Sequence, residues 1–494
     1  MTTSSRARLH IGFLGFSLYT IILLQAFASS RFLARGFGFE LLDAAGGLAT
    51  GASVGVAVIT ATYLLATGGT SMRSFGRIWL VIYSLLVMAS LGTGLFFYQN
   101  DLAEMGREFA TYAFFGSAVV IGSSGRIWAA LRGPLLLACI LILPLSFIGF
   151  FQFKSVASEV EIGTRLAGSE ISINNLSSLF GILPLVLFTL QWWGRFGVVV
   201  ICLCWSSAFI LALLQQSRLE AAYWVLCGVI AVILVTFRYC TLGHRSRVNL
   251  SFYALIGSIL LCIGSVAYLD ASVRANTNAL LNRLSGEDQE RESYGLGFMG
   301  NFSYKNERFK IFQDCWNDFS TTECVYGRGM GGSFEWLSDI LNAPNQTARH
   351  EREEKFWLED SKKFGRRQME FGWGNPFIKG GLLFSGWIVL ASFAAISAAI
   401  RSHSRFAVVC GLAIFVNAIY TSFGGDFLVG SIQKLLCTGL LIGFLLSREW
   451  RSDPWVGVLR ARSGLPLESR TPPVGRIAPA RRSVFHVHEA SLYP

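Results

Sequence analysis

Charged side chains are scarce in this chain. Asp, Glu, Lys and Arg together make up 15% of the 494 residues, whereas 52% of the residues are apolar. Apolar runs of about 18 or more residues, long enough to cross the hydrocarbon core of a bilayer, recur along most of the sequence. Because a soluble fold of this size does not need such runs, the composition predicts an all-α, polytopic membrane protein.

The apolar runs predict about twelve transmembrane helices, with edges uncertain by several residues. A long polar segment separates the ninth from the tenth. The chain is therefore divided into spans one to nine (1–269), a large loop (270–375), spans ten to twelve (376–446) and a tail (447–494). The predicted spans lie near residues 9–28, 46–67, 76–98, 109–124, 133–153, 175–193, 196–214, 220–237, 250–269, 376–400, 405–423 and 427–446.

Basic residues fall in alternate loops, as expected when Lys and Arg near span ends stay in the cytoplasm. The opposite short loops are acidic or balanced, with Asp101, Glu104 and Glu108 in one of them. Both termini are therefore predicted to be cytoplasmic and the large loop extracytoplasmic. The basic set comprises Arg6, Arg8, Arg73, Arg77, Arg126, Arg132, Arg195, Arg238, Arg245, Arg247, Arg401, Arg405, Arg448 and Arg451.

The net charge of +11 follows largely from this topology and from the arginines of the tail, so no nucleic-acid partner is predicted. The tail is rich in proline and has few apolar clusters, which predicts disorder. Of the ten cysteines, only Cys315 and Cys324 lie in the large loop. A disulfide between them is predicted if the loop faces an oxidising compartment, and two separate buried thiols are the alternative.

Two familiar catalytic motifs are missing: a Gly-x-x-x-x-Gly-Lys phosphate loop and a His-Glu-x-x-His zinc helix. The segment Gly327-Arg328-Gly329-Met330-Gly331-Gly332 has the composition of a nucleotide-binding turn, but no strand-helix pattern surrounds it. We interpret it as a tight turn that uses the positive φ angles open to glycine. No metal site is predicted.

The remaining candidates for a functional site are arginines at the predicted outer face. Arg218 lies in the short connection between spans seven and eight, where a cation usually faces a watery cavity or a partner. An ion pair with Glu220, or snorkelling, is the alternative. Residues 306–316 predict an amphipathic helix with Arg308 at its start and an aromatic stripe that continues to Phe319. A second amphipathic helix is predicted around 273–284, along the membrane surface.

Four segments in this order resemble the O-antigen ligase and polysaccharide polymerase family, over about residues 170–445. These enzymes use a polyprenyl-diphosphate-linked glycan as donor. The matching segments are Asn174-Asn175 at the start of a span, Gln216-Ser217-Arg218, the Arg308–Trp316 helix followed by Val325–Gly331, and Gly374-Asn375-Pro376 continuing to Gly386. The chain departs from the family at one position. The family often has His directly before this Asn, whereas here Gly374, preceded by Trp373, stands directly before Asn375.

The resemblance implies a metal-independent glycosyltransferase of the bacterial inner membrane that needs no cofactor. Its implied partners are the lipid-linked donor, a glycan acceptor, membrane lipid and other polysaccharide-assembly proteins. Displacement of a diphosphate develops negative charge on the leaving oxygens, which a bidentate guanidinium stabilises well. We therefore assign catalytic roles to Arg218 and Arg308. Glu370, Glu220 and Asp426 are the candidates for the general base, and Glu370 is taken as the catalytic one.

Substrate binding is assigned to Asn375, Lys434, Trp316, Trp373 and Arg328. Snorkelling or a buried partner is the alternative for Lys434, and anchoring or a small loop core is the alternative for the tryptophans. Because His is missing before Asn375, polymerisation of repeat units is favoured slightly over ligation to lipid A core or protein. The alternative from another class is a glycolipid flippase or solute transporter, although neither internal repeats nor broken helices are evident in the sequence.

Overall fold

A computed structural model describes part of the chain, all of it within the first of two compact units, Met1–Asp453. The second unit, Pro454–Pro494, lies outside the described residues, and so does the predicted tail apart from Ser447 and Arg448. The described residues are 3–36, 40–125, 127, 130–131, 133–141, 143–144, 200, 203–207, 209, 257, 312–313, 315–334, 374–402, 407–408, 410–415 and 432–448.

These residues are mostly helical and contain no β-strand, only two isolated bridges. The predicted all-α class is therefore confirmed for the described part of the chain. The helices are α1 (Thr3–Gly36), α2 (Glu40–Ala66), α3 (Ser74–Gly92), α4 (Leu102–Gly122), α5 (Thr321–Tyr326), α6 (Gly374–Ile400) and α7 (Ile432–Leu445). A π-helical turn, Thr93–Phe97, extends α3.

Three helices are long and apolar enough to cross a membrane: Gly47–Ala66 in α2, Ser74–Phe97 in α3 with its π turn, and all of α6. They agree with the predicted spans 46–67, 76–98 and 376–400. Two shorter apolar helices, Gly12–Ala28 and Leu435–Leu445, fall on the predicted spans 9–28 and 427–446. The apolar helices fit a membrane protein. Several of the twelve predicted spans lie wholly or partly outside the described residues.

The two ends of α3 contact different parts of the chain. At its first end, the backbone N–H of Arg73 donates to the carbonyl of Leu446 (3.1 Å), and that of Arg448 donates to Ser71 (3.0 Å). The loops that contain Arg73 and Arg448, both members of the predicted basic set, therefore contact each other at this end. At the other end, Asn100 contacts the loop segment that includes Met330. The large loop thus docks at the end of α3 where Asp101 lies.

Close packing holds the helices around α3 together. The indole N–H of Trp79 in α3 donates to the carbonyl of Trp387 in α6 (2.9 Å), and the indole of Trp387 donates back to the carbonyl of Trp79 (3.0 Å). Gly439 of α7 lies so close to Ala118 of α4 that a Cβ there would approach the alanine methyl to 2.5 Å. Small residues at such a crossing let helix backbones approach closely, as is common in membranes.

Helix α6 is broken near its start. Gly380 (φ −144°, ψ 19°) and Gly381 (φ 60°, ψ −158°) leave helical geometry, so a short first segment, residues 374–379, precedes the long apolar part. A Cβ on Gly381 would lie 2.3 Å from the carbonyl oxygen of Val325. The break therefore gives the end of α5 room to pack directly against the backbone of α6.

Candidate functional site

The segment Gly327–Gly332, here called the glycine turn, docks onto α3, α4 and α6 through its own backbone. The N–H of Arg328 donates to Ile378 (2.8 Å) and that of Gly329 to Lys379 (3.1 Å), both carbonyls in the first segment of α6. The N–H of Met330 donates to the carbonyl of Ser90 in α3 (3.0 Å). The next N–H, of Gly331, donates to the Glu108 carboxylate of α4 (2.6 Å). One turn therefore ties three helices together.

Four carbonyl groups of the glycine turn are paired as well. The Asn100 side-chain amide donates to the carbonyls of Arg328 (3.1 Å) and Met330 (2.8 Å). The carbonyl of Gly332 accepts from the Lys379 ammonium (2.7 Å), and that of Gly329 accepts from the Gly332 N–H (3.0 Å). Because these backbone groups already have protein partners, the turn can lie deep in the protein at little desolvation cost.

Glycine is required in the turn for two reasons. Gly327, Gly329 and Gly331 have φ angles of 73°, 78° and 76°, which an L side chain adopts at a cost. In addition, a Cβ on Gly329 would lie 2.1 Å from the backbone nitrogen of Gly94. The interpretation of this segment as a tight turn is confirmed. Its N–H groups from Arg328 to Gly332 point at protein acceptors, so they do not form a cradle for a phosphate.

A buried ion pair lies under the glycine turn. The ammonium of Lys379 is 2.7 Å from the Glu108 carboxylate, and the two residues are 0% and 5% exposed. Lys379 also donates to the turn through Gly332, and Glu108 accepts from it through Gly331. Such a pair is stable only when the charges also satisfy further hydrogen bonds, as both do here. The pair therefore binds the turn to α4 and α6 at once.

The Arg328 guanidinium is held by a second set of acceptors, distinct from the ion pair. It donates to the carboxylates of Glu323 (2.8 Å) and Asp318 (2.7 Å), and to the carbonyls of Ser333 and Asp318 (2.9 Å each). A longer contact to Glu323 measures 3.5 Å, and the Phe319 ring lies 4.4 Å below the guanidinium carbon. All five N–H donors of the guanidinium are thereby directed at protein groups.

Glu323 links this network to the end of α3. Its carboxylate accepts from the Tyr98 hydroxyl (2.8 Å) and, as the capping box of α5, from the Ser320 N–H (2.8 Å). Burial alone would raise its pKa, but the hydrogen bonds from Arg328, Ser320 and Tyr98 outweigh burial and lower the pKa from 4.5 to about 2. Burial and the bond to Glu323 raise the pKa of Tyr98 to about 12. The network is therefore charged on Glu323 and neutral on Tyr98 at pH 7.

The aromatic stripe predicted in the loop packs on Phe377 of α6. The rings of Trp316 and Phe319 stack on Phe377, each with centroids 5.5 Å away, and Phe312 approaches it to 5.3 Å. Trp316 is nevertheless 40% exposed, so the face of the cluster formed by its indole is open. The cluster therefore forms a small core between the loop and α6, which is the alternative to sugar stacking considered for Trp316. The exposed part of the Trp316 indole is still accessible to a sugar ring.

The predicted disulfide is not formed in this structure. Cys315 and Cys324 are free, buried thiols, the alternative arrangement considered for them. The Cys324 sulfur lies 3.9 Å from the carbonyl oxygens of both Trp316 and Phe319, and Cys315 packs in the aromatic cluster. Burial raises the pKa of both thiols. They act as apolar packing groups beneath the loop surface.

Two of the predicted site residues, Arg328 and Asn375, lie at one place, and a third, Trp316, stacks there on Phe377. We call this place the junction: the glycine turn, the α3 and α4 residues that it contacts, and residues 374–381 of α6. Asn375 is fully buried at the start of α6. Lys434 lies in α7, but its side chain is outside the described part of the structure. Arg218, Arg308, Glu370 and Trp373, as well as the alternative bases Glu220 and Asp426, lie outside the described residues.

Sequence reasoning missed the central roles of Glu108 and Lys379. A signal was present, because Lys379 is a cation inside a predicted span, and ionisable residues there usually have a partner or a function. Its partner was not identifiable, since Glu108 is 271 positions away and was counted as an acidic loop residue. Asn100, which holds two carbonyls of the turn, has no sequence signal beyond its place in a polar connection.

Comparison of the chain with models of known protein families and with curated protein sequences finds no match. The resemblance to the O-antigen ligase and polysaccharide polymerase family thus remains a prediction from the order of its motifs. Within the described junction, both cations are paired with carboxylates, Arg328 with Asp318 and Glu323, and Lys379 with Glu108. The geometry therefore suits these two residues to positioning the start of α6.

Proposed function

We propose that the chain is a bacterial inner-membrane glycosyltransferase that polymerises polyprenyl-diphosphate-linked repeat units into an exopolysaccharide or O-antigen chain. In this proposal about twelve spans cross the membrane, both termini are cytoplasmic, and the loop 270–375 is periplasmic. The donor enters from the membrane, and the acceptor glycan approaches from the periplasm.

The observation that carries the proposal is the docking of the loop at the junction. Two segments that match the family in sequence, Val325–Gly331 and Gly374 onward, lie far apart in the chain but are joined by the hydrogen bonds of Arg328 and Gly329 to α6. Trp316, from the helix that precedes Val325–Gly331 in the same matching segment, stacks on Phe377. Contacts between these segments are expected if together they form one site beside Asn375.

The chemistry assigned to this site requires cations that are not already neutralised. Arg328 and Lys379 are paired with carboxylates and serve as supports. The proposal therefore assigns stabilisation of the departing diphosphate to Arg218 and Arg308, with Glu370 as the base that accepts the proton of the attacking sugar hydroxyl. Asn375, Lys434, Trp373 and the exposed face of Trp316 are assigned to substrate binding.

The test is transfer of a labelled glycan from its polyprenyl diphosphate by the purified, reconstituted protein. Arg308→Lys and Arg218→Lys retain the charge but lose the bidentate fork, so each is expected to slow transfer by roughly a hundredfold or more. The matched control is Arg274→Lys, another arginine of the loop segment to which the proposal gives no role. Equal rates in all three variants and the wild type would rule out the assigned mechanism.

The same assay separates polymerase from ligase by its acceptor. A polymerase lengthens the lipid-linked glycan itself, whereas a ligase transfers it to lipid A core or to protein. We expect longer lipid-linked products, because the chain has Gly374 where the family often has His.

A transporter is the second candidate, and one observation favours it. Helix α6 is broken at Gly380–Gly381 next to a buried charged pair, and discontinuous helices with buried polar groups are typical of transporters. A flippase would move a labelled lipid-linked glycan across proteoliposomes without changing its length. Translocation with no change in glycan length would favour this candidate over the enzyme.

A further inference from the structure

The end of α3 carries a run of outward-facing apolar side chains. Leu95, Phe96 and Phe97 are 40%, 75% and 82% exposed, and all lie in the π-helical turn. In a regular helix packed on one side, a buried residue recurs every three or four positions. Here the π turn leaves every residue from Leu95 to Gln99 exposed. Exposed aromatic surface of this kind marks an interaction site.

Exposed apolar side chains also lie along the earlier part of α3. Ile78, Val81, Leu85 and Met88 are exposed along that helix, and the sequence has no charged residue between Arg77 and Asp101. The exposed polar residues Gln99 and Asp101 follow within four positions of Phe97. The change from apolar to polar surface therefore occurs within a few residues of Phe97.

A second exposed apolar patch flanks the glycine turn from α6. Tyr326, at the end of α5, is exposed, and so are Leu382 and Leu383 just beyond the break in α6. The two patches are joined by the turn itself, because Gly329 lies against Gly94 and the α5 backbone lies against Gly381. We call these two patches together the apolar rim.

The depth of the turn identifies what the rim contacts. Gly94 and Gly381 both lie inside helices long and apolar enough to cross a membrane, Ser74–Phe97 and Gly374–Ile400. A loop segment in contact with both glycines sits below the ends of these spans. Irregular backbone is tolerated at membrane depth only where its polar groups are satisfied by protein or water. In the glycine turn the N–H groups from Arg328 to Gly332 are bonded to protein, as are the carbonyls of Arg328, Gly329, Met330 and Gly332.

We infer that the glycine turn is a re-entrant segment and that its apolar rim, Leu95–Phe97 with Tyr326, Leu382 and Leu383, is embedded among phospholipids near the membrane surface. Tyr98, whose hydroxyl bonds to Glu323, marks the level at which lipid gives way to water. The inference does not depend on the proposed enzyme activity. Contact of the apolar rim with phospholipids holds the described part of the loop at the bilayer surface.

The test is site-specific photocrosslinking of the full chain in phospholipid proteoliposomes. Phe97 is replaced by p-benzoylphenylalanine, an aromatic residue that preserves the shape of the rim. Asp101, an exposed charged residue in the connection after α3, is replaced in the same way as the water-facing control. After irradiation, mass spectrometry of the protein is expected to find phospholipid adducts at position 97 and at least about tenfold fewer at position 101. Tyr326, treated identically, is expected to resemble position 97.

Two outcomes would overturn the inference. Equal lipid adducts at positions 97 and 101 would place both residues in the same environment. Crosslinks from position 97 to a second copy of the chain, in place of lipid, would make the rim a protein interface. A fluorescence size-exclusion profile matching the wild type shows that each substituted chain is folded, so neither outcome can be attributed to misfolding.

Discussion

At the scale of single residues, Arg328 shows why one arginine cannot be exchanged for lysine. Its fork reaches two carboxylates and two carbonyls, whereas the ammonium of a lysine cannot reach all of them. We expect Arg328→Lys to destabilise the docked loop by about 1–3 kcal/mol, the usual cost of leaving buried acceptors unpaired. Under reducing conditions, the buried thiol of Cys324 should then be alkylated several-fold faster, as measured by mass spectrometry of its peptide.

Arg107→Lys is the matched control for this prediction. Arg107 also pairs with a carboxylate, that of Glu104, but its side chain is largely exposed, and such pairs contribute at most about 1 kcal/mol. Alkylation of Cys324 in this variant should match the wild type. Similar rates in both lysine variants would mean that the Arg328 network does not hold the loop in place.

At the scale of elements, the capping box of α5 makes the loop sensitive to acid. The pKa of Glu323 is lowered to about 2 in the folded chain, so the carboxylate stabilises the docked loop fully above about pH 4.5. That stabilisation is lost as the pH falls from about 4.5 toward 2. Hydrogen exchange of the peptide around 320–332, corrected for the intrinsic pH dependence, should show constant protection at pH 5–7 and progressive loss below.

Glu323→Gln separates this effect from a general acid transition. The variant keeps the shape of the side chain but lacks its charge, so its α5 peptide should be less protected at pH 7 and should change less between pH 4.5 and 2 than the wild type does. If wild type and variant lose protection in parallel, another group controls the acid response of α5.

The elements also show how far sequence reasoning reaches in this chain. Apolar runs predict the helices that are long and apolar enough to cross a membrane, because hydropathy is a local property. The glycine turn is recognisable in the sequence because positive φ angles select glycine. The break in α6 was missed, since Gly380–Gly381 in an apolar run reads as a tolerated part of a span. It forms because α5 packs against that backbone, a contact that no local pattern encodes.

At the scale of the whole molecule, long-range pairs decide how the loop and the spans fit together. Ser90 donates to the carbonyl of Lys379 (2.7 Å), and Lys379 in turn binds Glu108, so α3, α4, α6 and the glycine turn share one polar centre. In the sequence, Glu108 and Lys379 are two charged residues near the ends of separate predicted spans, and no local pattern indicates that they pair. The catalytic roles assigned to Arg218 and Arg308, which lie outside the described residues, stay predictions.

This polar centre makes a prediction about the stability of the whole molecule. Glu108→Gln leaves the Lys379 ammonium buried without its carboxylate, and Lys379→Met leaves the Glu108 carboxylate buried without its ammonium. Each substitution is expected to lower the free energy of unfolding by about 3–5 kcal/mol. The double variant removes both charges, so its cost should fall below the sum of the single costs by at least about 2 kcal/mol. Denaturant unfolding of the purified chain and its variants measures the four corners of this cycle, with Arg107→Gln as the exposed control. Additive costs would show that Glu108 and Lys379 do not act as a pair and that each stabilises the glycine turn separately.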